Sequence, residues 1–203
     1  MIHALLVALL VALGLVPPPA TIGASAGALE PAVRLSMEPP IVLAAGSITD
    51  TTGIILPMLQ QVYTARELAA GGEVLIRSAD TGIYQAWVLW GGLCREAPIC
   101  IEIGKPVDRS VMAHEWGHVL TERYRSQMTR GQHRRFDEAF TLVNQECMAD
   151  SLAAIVLERD GFPPSTGRYS CVTFWADQGL DPVEMEDLST ALARTVLRWA
   201  SQN

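Results

Sequence analysis

His114-Glu115-Trp116-Gly117-His118, or HEWGH, stands near the middle of the chain, and the fold is read outward from it. Residues four apart share one face of an α-helix. On a helix, His114 and His118 therefore point the same way, one turn apart, and their ring nitrogens can bind one metal ion. Glu115 lies one step round from His114, where it can act on water at the metal without being a ligand. Val111, Met112, Ala113, Trp116, Val119 and Leu120 flank the motif, so this helix is expected to be buried. Gly117 costs about 1 kcal/mol relative to Ala inside a helix; the expected return is close approach of another element on the metal side. The competing reading is two core histidines and a surface glutamate on an ordinary helix. With only four histidines in the chain, a chance HExxH is rare, and on a helix the pattern carries a mechanism.

A catalytic zinc ion usually takes three protein ligands and keeps one open position. Downstream, Glu146-Cys147-Met148-Ala149-Asp150 places two carboxylates four residues apart in a stripe that is otherwise apolar: Ala139, Leu142, Val143, Ala149, Ala153, Ala154. Carboxylates in such a stripe are costly to bury without partners. A zinc ion and a histidine N–H supply them. Glu146 is therefore assigned as the third ligand beside His114 and His118. Asp150 is assigned as the acceptor that holds His114 or His118 in the right tautomer. The alternative for Glu146 and Asp150 is a solvated helix face, or an ion pair with Arg159 or Arg135.

HEWGH with Glu146-x-x-x-Asp150 resembles the gluzincin zinc metallopeptidases, the thermolysin-like group, and ECMAD also resembles the corresponding helix of bacterial neutral zinc metallopeptidases. The likeness spans roughly residues 99–159, about a third of the chain. It implies a zincin-like fold, one zinc ion on His114, His118 and Glu146, Glu115 as general base, Asp150 behind the ligands, and a peptide substrate. It also implies that the segment Ile99–Ile103 is the edge strand that holds an extended peptide. Two departures stand out. No third histidine follows His118 at metzincin spacing, and no motif supplies the group that stabilises the transition state; Tyr124, His133, Arg168 and Tyr169 are the candidates.

Outward from the motif, hydrophobic periodicity predicts an amphipathic helix over 50–70, capped by Thr49 or Asp50, kinked at Pro57 and stopped at Gly71-Gly72. Strands are predicted over 73–78, 84–90 and 99–103. Asp108 is the expected N-cap of the HEWGH helix, which runs to about Arg125. Gly131 separates it from a long helix over 134–159, ended by Gly161 and Pro163-Pro164. A last helix begins at Asp181-Pro182 and carries the stripe Leu188, Leu192, Val196, Trp199. Helix, small sheet, then helices make an α+β plan.

The chain has 203 residues and a formal net charge of −7, which suits one domain and argues against nucleic acid as a partner. Ala4 to Val16 is an apolar run followed by three prolines and Ala24-Ser25-Ala26. It is too short for a comfortable membrane span and reads as a signal peptide over 1–26, with an uncleaved membrane anchor as the alternative. A flexible lead-in over 27–45 and a single domain over 46–203 follow. Export makes disulfides the favoured state of the four cysteines. Three pairings are possible; Cys94–Cys100 with Cys147–Cys171 is preferred over the other two and over four buried thiols. The reading overall is a secreted zinc peptidase acting on protein or peptide. The alternative is a zincin-fold protein that binds a partner without turnover.

Overall fold

The computed structural model describes residues 47–82, 85–162 and 171–202. The expected signal segment and lead-in lie outside the described residues, as do Tyr84, Arg168 and Tyr169. Among the described residues there are four strands and seven helices in an α+β arrangement.

The strands are β1 (Ile48–Asp50), β2 (Val74–Ser78), β3 (Ala86–Trp90) and β4 (Ile99–Ile103), in the spatial order β1-β2-β4-β3. β1, β2 and β4 run parallel, and β3 pairs antiparallel with β4. This corrects the expectation for Ile99–Ile103: β4 is interior, with a neighbour on each side, and the edges are β1 and β3. The physical sign is burial of four successive residues, Ile99 to Glu102, as befits a strand covered on both faces. Register places Val74, Ile99 and Trp90 side by side, then Ile76, Ile101 and Val88. These six belong to or pack against the apolar core. The opposite face aligns Arg77, Glu102 and Trp87. Glu102 accepts from Arg77 Nη2 at 2.6 Å and from Trp87 Nε1 at 2.9 Å. The Cys94–Cys100 disulfide joins the loop after β3 to β4, and Arg77 reaches Glu96 of that loop at 2.9 Å.

The helix expected over 50–70 is divided. Asp50 ends β1, and its carboxylate accepts the N–H groups of Thr52, Gly53, Ile55 and Leu56. α1 spans Ile55–Leu59 and α2 spans Ala65–Ala70, the latter opened by a capping box between Thr64 and Glu67. Of the apolar period expected there, Ile55, Leu59 and Val62 are buried and Met58 packs against the core, while Ile54 is 64% exposed. The period continues through a turn that Thr64 begins to cap.

α3 (Arg109–Ser126) carries HEWGH and starts on Asp108, whose carboxylate accepts Val111 N–H at 2.9 Å. The long helix expected over 134–159 starts earlier and breaks once, into α4 (Arg130–Val143) and α5 (Gln145–Arg159). Gly131 does not separate helices; it sits in the first turn of α4, behind a Thr129–Gln132 capping box. α6 spans Cys171–Asp177 and α7 spans Pro182–Gln202. Leu188, Leu192 and Val196 of α7 are buried as the stripe requires, and Trp199 is packed against the core. α3 packs most extensively on α5, and β3 lies against α3. No helix among the described residues is long and apolar enough to cross a membrane.

Behind α3, Glu67 is 1% exposed and pairs with Arg159 at 2.7 Å. It also accepts Thr64 N–H, while Arg159 Nη2 donates to Val62 O at 2.7 Å. Burial pushes the Glu67 carboxyl up, but hydrogen bonds from Arg159 and Thr64 outweigh it and hold the group below its ordinary value. A depressed folded-state pKa contributes stability above the unfolded value, about 4.3, and that stability is lost as pH falls through the folded value. Glu67→Gln is expected to cost about 2 kcal/mol at pH 7, the scale of a charge-assisted hydrogen bond. The gap to the parent should close toward acid pH, as read by urea melts at both ends of the range.

Candidate metal centre

Where α3 crosses α5, Gly117 faces Ala149 and Leu152. A Cβ on Gly117 would sit 3.3 Å from the Ala149 Cα and carbonyl oxygen, tight against backbone that cannot swing aside. The glycine thus lets two helices approach until side chains on one reach side chains on the other. Thr121 Oγ1 donates to the Gly117 carbonyl at 2.8 Å, which keeps that hydroxyl satisfied within α3.

Four of the five expected site residues meet at this crossing. His114 Nε2 lies 3.1 Å from Glu146 Oε2 and 3.1 Å from His118 Nε2. His118 Nε2 is 3.5 Å from the same carboxylate oxygen. His114 Nδ1 donates to Asp150 Oδ1 at 2.7 Å; the direction follows because an ionised carboxylate only accepts. His114 Nε2 in turn faces two acceptors, the Glu146 carboxylate and the second imidazole, with the imidazolium proton between them at neutral pH. Such acceptors repel unless a cation or proton lies among them. His114, His118 and Glu146 form a group that could hold a metal ion. A small tetrahedral cation bound at about 2.0–2.1 Å sets its ligand atoms about 3.3–3.4 Å apart, and the three separations here bracket that spacing.

Glu115, the fifth, is 7% exposed, close to the 8% of His114 and 9% of His118. Its charge is one of those that raise the His114 pKa, so it lies within electrostatic reach of the cluster. Burial disfavours the charged imidazole of His114, but Asp150 and Glu146 more than reverse this and push it up to about 9. Burial likewise raises Glu146, and the histidines outweigh it, holding the carboxyl far below its usual range. The stripe expected around Glu146 and Asp150 is divided by the break at Asn144, with Ala139, Leu142 and Val143 on α4 and Leu142 37% exposed; neither carboxylate pairs with Arg159, which is engaged by Glu67.

Of the other candidates, Tyr124 packs between Phe136 and Trp199, each with ring centroids 5.5 Å away. His133 pairs with Asp137 at 2.7 Å on α4, where both line a separate hollow with Met128 and Leu142. Neither joins the cluster. Both preferred disulfides are present, Cys94–Cys100 and Cys147–Cys171, with Cα separations of 5.6 and 5.7 Å. Two disulfides fit an oxidising, extracellular environment.

One residue beside the cluster escaped the sequence reading. Asn144 ends α4 and opens α5, with φ 77° and ψ 139°, and its side-chain oxygen accepts Glu146 N–H at 3.0 Å. Asn directly ahead of an acidic first turn is an N-cap signal. It was hidden by an apolar period running unbroken across it. No family model matches the sequence, and no curated protein or solved structure gives a match.

Gly117→Val is expected to cost about 3 kcal/mol by overpacking the crossing and to weaken metal binding with it, measured by melts and by metal titration. Metal binding must also displace the His114 proton. Since that proton is held up to about 9, apparent metal affinity should rise with pH, about tenfold per unit between pH 6 and 8. A flat profile from competition titrations would contradict the arrangement.

Proposed function

We propose that the chain is a zinc-dependent peptidase of gluzincin type, acting outside the cytoplasm on protein or peptide. The observation that carries this reading is the convergence of Glu146 Oε2 on His114 Nε2 and His118 Nε2, with Asp150 on the far nitrogen of His114. Two imidazoles and one carboxylate are a donor set suited to zinc, and three protein ligands is the count of a catalytic rather than a structural site. Zinc bound there would supply Lewis acidity, making water acidic enough to lose a proton near neutral pH.

The chain's own residues account for the remaining work. Asp150 fixes the His114 ring and tautomer, so that Nε2 is presented as a donor atom. Glu115, adjacent to His114 and largely buried, takes the proton from the attacking water. It then delivers that proton to the amine that leaves when the peptide C–N bond breaks. A base held beside the ligand helix needs no further ordering at the moment of reaction.

The zincin-like character of the fold is supported by the mixed sheet, whose one antiparallel strand, β3, is an edge strand lying against α3. An extended peptide can add to such an edge through main-chain hydrogen bonds, so β3 takes the role that the sequence had suggested for Ile99–Ile103. Export through the segment 1–26 belongs to the same reading and agrees with the two disulfides.

The test combines elemental analysis with hydrolysis of an unfolded protein such as denatured casein. The parent should carry one zinc per chain. Glu115→Gln should retain it and lose at least about a hundredfold in rate, the lower end of the contribution of a general base. Glu146→Ala should lose most of the metal. Full activity in Glu115→Gln would refute the mechanism, and zinc without hydrolysis in the parent would favour the binding protein over the enzyme.

A further inference from the structure

The break at Asn144 is held from both sides by the same short helix. Asn144 is the only residue other than glycine with positive φ among those described. A side chain in that region costs on the order of 1–3 kcal/mol and persists only where surrounding structure enforces it. On the near side of the break, Trp175 Nε1 of α6 donates to the Val143 carbonyl at 2.8 Å, with Trp175 itself 3% exposed. On the far side, Cys147 is disulfide-bonded to Cys171, the first residue of α6. Cys171 Sγ also lies 4.0 Å from Asp150 Oδ2. One turn and a half of α6 therefore touches the residue before the break, the residue after Glu146, and the carboxylate that orients His114.

We infer that α6 is a clasp for the third metal ligand: Trp175 and the Cys147–Cys171 disulfide are positioning residues that hold Asn144 in its positive-φ conformation and thereby aim Glu146 at His114 and His118. This rests on the reading of those three residues as metal ligands. The physical argument is geometric. If Asn144 relaxed to helical dihedrals, α4 and α5 would merge into one continuous helix. The direction of Glu146 would then follow that of α4, which packs on its own face through Phe136, Ala139 and Val143. The Asn144 side chain would also surrender Glu146 N–H to the ordinary helical carbonyl. With α6 attached on both sides, that relaxation requires tearing a buried hydrogen bond and displacing a covalently tethered segment. The Cys94–Cys100 disulfide sits on the sheet and touches none of this, which makes it an internal control.

Zinc affinity, measured on the full chain by competition with a chromophoric chelator, tests the clasp without reference to activity. Cys147→Ser with Cys171→Ser, and separately Trp175→Phe, should each weaken zinc at least tenfold. Cys94→Ser with Cys100→Ser should stay within about twofold of the parent, a threshold set well inside one factor of ten, or 1.4 kcal/mol. In a Glu146→Ala background the clasp variants should cause no further loss, a result that general loosening of the fold would not produce. Trp175→Phe leaves both disulfides intact and keeps an aromatic ring while losing the donor with the rest of the indole, so, read in the parent and in the Glu146→Ala background, it decides the matter if the double serine variant does not fold. Parent-like affinity in the clasp variants, or an undiminished loss in the Glu146→Ala background, overturns the clasp alone. Absence of zinc binding by the parent overturns the metal centre and the clasp together.

Discussion

Between α3 and α5 even a methyl group at position 117 would press on the Ala149 backbone at 3.3 Å. That closeness sets the range over which the two helices can share chemistry. Histidine side chains from one and carboxylates from the other must bridge the gap with atoms about 3 Å apart, as they do. Had the helices been spaced by two ordinary side chains, the same residues would face each other across a layer of packing. Preorganisation here is a property of the crossing, with each side chain adding only its last two or three bonds.

The crossing is in turn held from behind. Tyr63 is fully buried, its hydroxyl donates to the Ala113 carbonyl at 2.8 Å, and burial pushes its phenol well above the ordinary value. Glu67, a residue of α2, engages Arg159 at the end of α5. The Trp116 ring packs beside Tyr63, with centroids 6.4 Å apart, and its Nε1 donates to the Glu67 carbonyl at 3.4 Å. This polar set joins the segment between α1 and α2 to the starting half of α3 and to the far end of α5. A paired, hydrogen-bonded buried charge is demanding about geometry, so the set resists sliding of α3 or α5 in a way that apolar contacts alone do not. On the other side, Ser189 of α7 donates to the Cys147 carbonyl at 3.1 Å and lies 2.7 Å from Ser151. α5 is therefore gripped along its length.

Much of the candidate site was legible in the linear chain because it obeys helical arithmetic. His114 to His118 and Glu146 to Asp150 are spacings of four, and the ligand assignment needed only the cost of burying carboxylates in an apolar stripe. The HEWGH helix, the Asp108 cap and the α7 stripe came from equally local rules, whereas the cysteine pairing was a preference among three that only the structure decides. The edge role of Ile99–Ile103 came from the family resemblance, because a strand's own residues do not say which segments pair on either side of it. The expected helix over 50–70 misled because most of its apolar period is kept while Asp50 ends β1, the helix starts only at Ile55, and the turn before Thr64 divides the rest.

What the sequence by itself determined is thus which side chains occupy which helix faces, since that depends on 3.6 residues per turn and on nothing distant. Tertiary structure decided how those faces meet. It placed β3 rather than β4 at the sheet edge, because pairing is a contact between segments and not a property of either. It turned the chain at Asn144, because a conformation unfavourable in isolation becomes stable once Trp175 and the Cys147–Cys171 link act on it from elsewhere. And it brought Glu146 to within hydrogen-bond distance of His114, a separation set by the helix crossing at Gly117, which no local periodicity encodes.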